Sequence, residues 1–175
     1  MKKRYILPII IITLTVLVNG YILMHSCFNA TMSSSSSGRL VNFLKVIINT
    51  FHANTINENN IDSFTHVIRK LVGHFGLFVI SGFFTSFSFS FVNRKVPFLK
   101  DVYYYLLTLT SGFFLASLTE FIQRFVPGRS GEFTDVMIDF SGYIVGTMIF
   151  ILIMMVIVLV KNKNDKKRIV VKNIH

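Results

Sequence analysis

Long apolar stretches alternate with short polar segments along the whole chain. Four of these stretches, at residues 5–24, 71–92, 102–125 and 136–160, contain few charged side chains. An α-helix rises 1.5 Å per residue, so about 20 apolar residues cross the roughly 30 Å hydrocarbon core of a bilayer. The pattern therefore predicts an all-α membrane protein, built as a four-transmembrane-helix bundle.

The connection between the first two spans carries a weaker apolar pattern. Residues 39–51 have apolar side chains at helical spacing, with basic and amide side chains at the remaining positions. This is typical of an outer interfacial amphipathic helix, and the serine run before it, residues 33–37, predicts a flexible connector. The predicted organisation is a first span in 1–28, an outer loop with the amphipathic helix in 29–63, a three-span core in 64–160 and a basic cytoplasmic tail in 161–175.

Composition and charge agree with a membrane location and add an orientation. The chain is 52% hydrophobic and 15% charged, whereas soluble domains carry about 25% charged residues. The excess positive charge behind the net +10 lies at the N-terminus, in the loop around residue 95 and in the tail. Positive flanks face the cytoplasm and contact anionic lipids, so both termini are expected to be cytoplasmic and nucleic acid is not an expected partner.

Polar residues in the second span repeat on one helical face. Lys70, His74, Ser81 and Thr85 are spaced by four, seven and four residues, which places them within roughly 60° of one another in an α-helix. Singly, Lys70 would be an interfacial anchor whose side chain extends to the membrane surface, and His74 would be a packing histidine. Their common face indicates a shared polar site instead.

The third and fourth spans carry acidic residues on the faces that hold their small residues. Small side chains let neighbouring helices approach closely, so the acidic side chains are expected to point into the bundle. The positions are Gly112, Ala116, Glu120 and Gln123 in the third span, and Asp135, Asp139, Gly142 and Gly146 in the fourth.

The predicted orientation brings these polar groups to one depth. Glu120 and Asp139 would each lie roughly 8 to 10 Å inside the outer boundary of the membrane, and ionisable groups at such depth are usually functional. We therefore expect a ligand-binding pocket in the outer leaflet, built from three helices. The alternative is a self-satisfied polar network that only holds the helices together. The expected lining residues are Lys70, His74, Glu120, Gln123, Arg129, Asp135 and Asp139.

Three motifs stand in order along the last three spans. They are K-x-x-x-H-F from Lys70, E-x-x-Q-x-F-x-P-G-R from Glu120 and D-x-x-x-D-x-x-G-x-x-x-G from Asp135. Together they resemble the VanZ-like family of small bacterial membrane proteins, over about residues 64–155. Members of that family usually carry Asn at the position of Asp139, and many carry an acid at that of Leu77. The resemblance implies a bacterial cell membrane location.

The founding member of that family is associated with resistance to teicoplanin-type glycopeptide antibiotics. The resemblance therefore implies a protein that binds or modifies a cell-envelope lipid or a lipid-linked wall precursor and lowers glycopeptide susceptibility. A membrane-embedded hydrolase or transferase is the alternative, with His74, Glu120 and Asp135 as candidate acid–base residues. A small transporter or structural membrane partner is a third hypothesis.

No cofactor is expected from the sequence, and the oligomeric state is left open. The expected partners are membrane lipids, a lipid-linked wall precursor or a glycopeptide. A metal site from His74, Glu120, Asp135 and Asp139 is chemically possible, but these residues match no recognised ligand-spacing motif. No metal site is therefore assigned from the sequence.

Overall fold

The computed structural model describes residues 3–52, 55–93 and 99–172, and this part of the chain is helical without strands. The second predicted span is not a uniform α-helix, because a π-helical segment interrupts it. The elements are α1 (Lys3–Ser26), α2 (Ala30–Phe51), α3 (Ile61–Ile68), the π-helical segment (Arg69–Gly76), α4 (Leu77–Asn93), α5 (Leu99–Gln123) and α6 (Phe133–Lys172).

Within the described ranges, four helical stretches are long and apolar enough to span a membrane. Their mean hydropathy lies between 1.4 and 2.9. The predicted all-α fold with four membrane-length helices is therefore confirmed, although the boundaries shift by several residues. The stretches are Tyr5–Ser26, Ile61–Phe91, Tyr103–Gln123 and Phe133–Asp165.

The prediction of a flexible connector at the serine run is wrong. Residues 33–37 lie inside α2, which forms one helix from Ala30 to Phe51. Serine costs well under 1 kcal/mol relative to alanine in a helix, and a helix already formed extends at little cost. The more apolar half of α2 exposes Phe43, Val46 and Phe51, and its location in the membrane interface stays a prediction.

Helix α6 is the central element of the bundle. It packs against α4, the π-helical segment and α5, while α1 packs against α4 and α5. Two of its glycines make the closest approaches: a Cβ at Gly142 would collide with the backbone carbonyl of Phe75, and one at Gly146 with that of Val79. These approaches hold the second and fourth spans at backbone contact.

Tyr143 lies between these two glycines and fills the centre of the bundle. Tyr143 is 1% exposed, and its hydroxyl lies 3.0 Å from the hydroxyl of Ser111. A Cβ at Gly112 would collide with the Tyr143 ring, so this glycine makes room for the tyrosine between α5 and α6. Ala116 is fully buried in the same cluster.

Substituting Gly146 tests the close packing of α4 on α6. We expect Gly146→Ala to lower the free energy of unfolding by about 1 to 3 kcal/mol, because the added methyl group overfills the contact with Val79. Gly20→Ala in α1 is the matched control, since nothing lies within 4 Å of a Cβ there, and alanine favours a helix. Thermal unfolding in detergent, followed by circular dichroism, measures both. Equal effects would contradict the close contact.

Candidate functional site

Polar side chains gather at one end of the bundle, which we call the polar end. It comprises the C-terminal end of α1, the π-helical segment, the end of α5, the loop 124–132 and the start of α6. The loop reverses direction at Gly128, whose φ of 75° lies in the left-handed region that favours glycine. The Arg129 backbone N–H donates to the Val126 carbonyl at 3.1 Å, so the turn brings Arg129 back toward α5.

Two ion pairs join the π-helical segment to the start of α6. Lys70 pairs with Asp135, and His74 Nδ1 lies 3.2 Å from Asp139 Oδ1. Lys70 and His74 are four residues apart, as are Asp135 and Asp139. The two contacts therefore lie one helical turn apart along the interface between the π-helical segment and α6. π-Helical turns are rare and are frequently found at functional sites.

His74 also faces a second carboxylate, contributed by α5. Its Nδ1 lies 3.8 Å from Glu120 Oε1, and Glu120 Oε2 accepts a hydrogen bond from the Glu132 backbone N–H at 3.1 Å. The side chains of Glu120 and Asp139 are 4% and 1% exposed, and that of His74 is 11% exposed. One imidazole thus stands between two buried carboxyl groups from different helices.

Arg129 is a half-buried cation at the polar end. Its Nη2 donates to Gln123 Oε1 at 2.7 Å, whereas its Nη1 is buried and has no hydrogen-bond partner among the residues described. Burial and, to a lesser extent, the neighbouring Arg69 lower the pKa of Arg129 from its ordinary value, but a guanidinium stays charged in proteins. Arg129 therefore retains an unused donor for an anion.

A small cavity of about 20 Å³ lies among these groups. That volume accepts one group of about the size of a water molecule. Polar side chains line this cavity from four helical elements and from the α5–α6 loop. They are His25 and Ser26 of α1, Arg69 and His74 of the π-helical segment, Thr119 and Gln123 of α5, Arg129 of the loop and Asp139 of α6.

The sequence-predicted pocket residues divide into two groups. His74, Gln123, Arg129 and Asp139 line the cavity. Glu120 adjoins it through His74, while Lys70 and Asp135 bind each other and do not line it. A role in ligand binding stays a prediction for all seven.

Several cavity residues were missed by the sequence analysis. His25 and Ser26 come from the end of α1. Thr15, Asn19 and Ser26 fall within about 40° of one another in an α-helix, a narrow polar face that the sequence analysis did not use. Arg69 lies five residues before His74, and α-helical spacing of 100° per residue separates these two residues by about 140°. The π-helical segment, whose hydrogen bonds join residues five apart, brings them to one side.

A larger crevice, of about 480 Å³, lies between α1, α4 and α5. Ile22 and Thr119 line the cavity, and their neighbours Leu23 and Leu118 line the crevice. Two of its polar groups have partners: Thr15 and Ser88 hydroxyls lie 2.7 Å apart, and Asn19 accepts from Ser81 at 2.6 Å. The buried hydroxyl of Thr85 has no hydrogen-bond partner among the described residues. The other walls are mainly apolar, with Ile12, Val16, Leu23, Phe114, Leu115 and Leu118.

Comparison with known proteins connects this arrangement to one family. A family model described as VanZ/LLP1 matches residues 8–158, a range that includes α1 from Pro8 onward and all the cavity residues. No curated protein and no solved structure matches the chain significantly.

Proposed function

Because the chain belongs to the VanZ/LLP1 family of membrane proteins, as the motif resemblance indicated, we propose that it binds a cell-envelope lipid at the polar end. The anionic head group is held at the cavity by Arg129 and Arg69, and a hydrocarbon chain lies in the crevice below. A lipid-linked wall precursor is the ligand that best fits the family.

The observation that supports this proposal is the unused guanidinium nitrogen of Arg129 at the cavity, together with an apolar crevice whose lining residues Leu23 and Leu118 directly neighbour cavity residues in α1 and α5. Arginine binds phosphate and carboxylate oxygens through charge-assisted hydrogen bonds. The cavity has room for one oxygen-bearing group, so the rest of the head group remains at its mouth. The carboxylate of Asp139 also lines the cavity and would repel an anion, but two cations, Arg69 and Arg129, line it as well and outweigh that charge.

The crevice supports a hydrocarbon chain as the second part of the ligand. Its volume of about 480 Å³ falls within the usual range for small-molecule sites. The surface offered to a ligand is largely apolar, because Thr15, Ser88 and Asn19 are already hydrogen-bonded and most other lining side chains are hydrocarbon or aromatic. A single amphiphile can therefore occupy both sites, which are adjacent along α1 and α5.

The distribution of basic residues supports an outer-leaflet position for the site. The positive-inside rule places both termini in the cytoplasm and the polar end at the outer surface. In bacteria, the head groups of lipid-linked wall precursors lie at that surface. Binding them there would lower susceptibility to teicoplanin-type antibiotics, which act on the same precursors.

Arg129→Gln tests the head-group contact, with Arg124→Gln as the matched control because Arg124 is exposed in the same loop. We expect the Arg129 variant to lose at least about tenfold in affinity for the anionic lipid, and the control to retain it. Lipid that copurifies with the protein measures the binding. Teicoplanin susceptibility of a sensitive strain that expresses each variant measures the outcome.

Two results would contradict the proposal separately. Equal lipid retention by both variants would exclude Arg129 as the head-group contact. Unchanged teicoplanin susceptibility in cells that express the unmodified protein would exclude the resistance role while leaving lipid binding in place.

Acid–base chemistry on the bound head group is a second candidate function. The observation that favours it is the position of His74 between Glu120 and Asp139, which is suited to proton transfer. Lipid analysis of cells that express either the unmodified protein or Glu120→Gln distinguishes the two functions. A lipid that changes only with the unmodified protein indicates catalysis, and an unchanged profile favours binding alone.

A further inference from the structure

Three side chains at the polar end are arranged as a metal-binding group. His74, Glu120 and Asp139 each offer one ligand atom, and these atoms all lie within 4.8 Å of one another. His74 Nδ1 is 3.2 Å from Asp139 Oδ1 and 3.8 Å from Glu120 Oε1. Nitrogen and oxygen ligands that each lie about 2.0 to 2.2 Å from one ion are separated by comparable distances, so small side-chain adjustments would complete the site.

Unused acceptor atoms provide an independent indication of a ligand. Glu120 Oε1 and Asp139 Oδ2 are buried and lack hydrogen-bond partners within the described part of the chain. Both side chains are more than nine-tenths buried. Buried carboxylate oxygens are normally hydrogen-bonded or bound to a metal ion. The two oxygens without hydrogen-bond partners thus belong to Glu120 and Asp139, two of the three residues that have metal-ligand geometry.

The cations near this group have other partners. Lys70 binds Asp135, and Arg129 donates to Gln123. Glu120 and Asp139 therefore have only the imidazole of His74 as a nearby ion-pair partner among the described residues. A divalent ion would neutralise both carboxylates and bind neutral His74 as its third ligand. Arg69 and Arg129 also line the adjoining cavity, and they would make an occupied site positively charged overall. An anionic head group could neutralise that charge.

We propose that His74, Glu120 and Asp139 bind a divalent transition-metal ion, with Zn²⁺ as the ion that best suits one imidazole and two carboxylates. Mn²⁺ is the competing ion, because carboxylate oxygen also suits it. The adjoining cavity accepts one water-sized group, which provides an open coordination position. Three helices supply the ligands, so no short sequence motif reveals the site.

Asp139 allows an isosteric test of the site. An amide oxygen binds transition metals more weakly than a carboxylate. Asp139→Asn therefore removes one charged ligand while it keeps the size of the side chain and the packing of α6.

Metal content is measured on the full-length, tag-free protein in detergent, after stripping with a chelator and re-equilibration with micromolar Zn²⁺. We expect about one Zn²⁺ per chain, and at least about a tenfold loss of affinity in Asp139→Asn and Glu120→Gln. Glu132→Gln and His52→Ala are the controls, because both residues are exposed. Co²⁺ substitution provides a visible spectrum that reports nitrogen and oxygen coordination.

Absence of stoichiometric Zn²⁺ and Mn²⁺ binding by the folded protein would overturn the inference. So would equal affinity in Asp139→Asn and the Glu132→Gln control, which would indicate adventitious surface binding. Lipid retention by the metal-stripped protein is measured separately. Lipid bound without metal leaves the proposed function intact, and metal bound without lipid leaves this inference intact, so the two can fail independently.

Discussion

Replacing Lys70 with methionine is expected to lower the free energy of unfolding by about 2 kcal/mol, between the costs of breaking an exposed and a fully buried ion pair, because this pair is partly buried. Lys70 binds Asp135, whose side chain is 11% exposed. Methionine keeps much of the lysine stem but leaves the carboxylate uncompensated at the junction of the π-helical segment and α6. Thermal or denaturant unfolding in detergent, followed by circular dichroism, measures the change.

Two companion variants identify the origin of that loss. Glu132→Gln removes a carboxylate that lies 3.9 Å from Lys70 but is 50% exposed, so we expect a change below about 1 kcal/mol. Lys70→Met combined with Asp135→Leu removes both charges and should recover most of the stability. If Lys70→Met cost no more than Glu132→Gln, the ion pair would not stabilise the junction.

The pairing of the second and fourth spans could be predicted in part from spacing. Lys70 and His74 are four residues apart, as are Asp135 and Asp139, and helical periodicity directs each set to one face. The sequence therefore indicated which residues meet. It did not indicate that Lys70 and Asp135 would bind each other outside the cavity, because partner choice depends on side-chain geometry.

The π-helical segment could not be predicted from the pattern of residues. Arg69–Gly76 contains Gly73 and Gly76, which weaken an α-helix but do not by themselves indicate a π-helical turn. The segment packs against α6, where Gly142 allows the Phe75 backbone carbonyl to approach closely. Arg69 and His74 both line the cavity, although α-helical spacing would separate them by about 140°.

The docking of α1 could be predicted only in part. Asn19 is a polar residue inside an apolar span, which indicates a hydrogen bond to a neighbouring helix, and it accepts one from Ser81. Thr15, on the same face, binds Ser88, but spacing alone does not identify the partner helix. The crevice between α1 and α5 is a product of that docking, and periodicity carries no information about such voids.

Filling the crevice is expected to release the bound lipid. Leu118 lies on its wall, directly before a cavity residue of α5, and Leu118→Trp would occupy part of the space that a hydrocarbon chain needs. We expect about a tenfold loss of lipid affinity, equivalent to about 1.4 kcal/mol. Native mass spectrometry, or extraction of copurified lipid, measures the loss.

Leu107→Trp is the matched control, because it makes the same change on α5 at a side chain that is 57% exposed. Loss of lipid from Leu118→Trp but not from Leu107→Trp would indicate that the hydrocarbon chain lies in the crevice. If both variants retained lipid while Arg129→Gln lost it, the head group alone would provide the affinity. Because the cavity holds only a water-sized group, the ligand would then lie mainly outside the bundle, and the crevice would be filled by bulk lipid without selectivity.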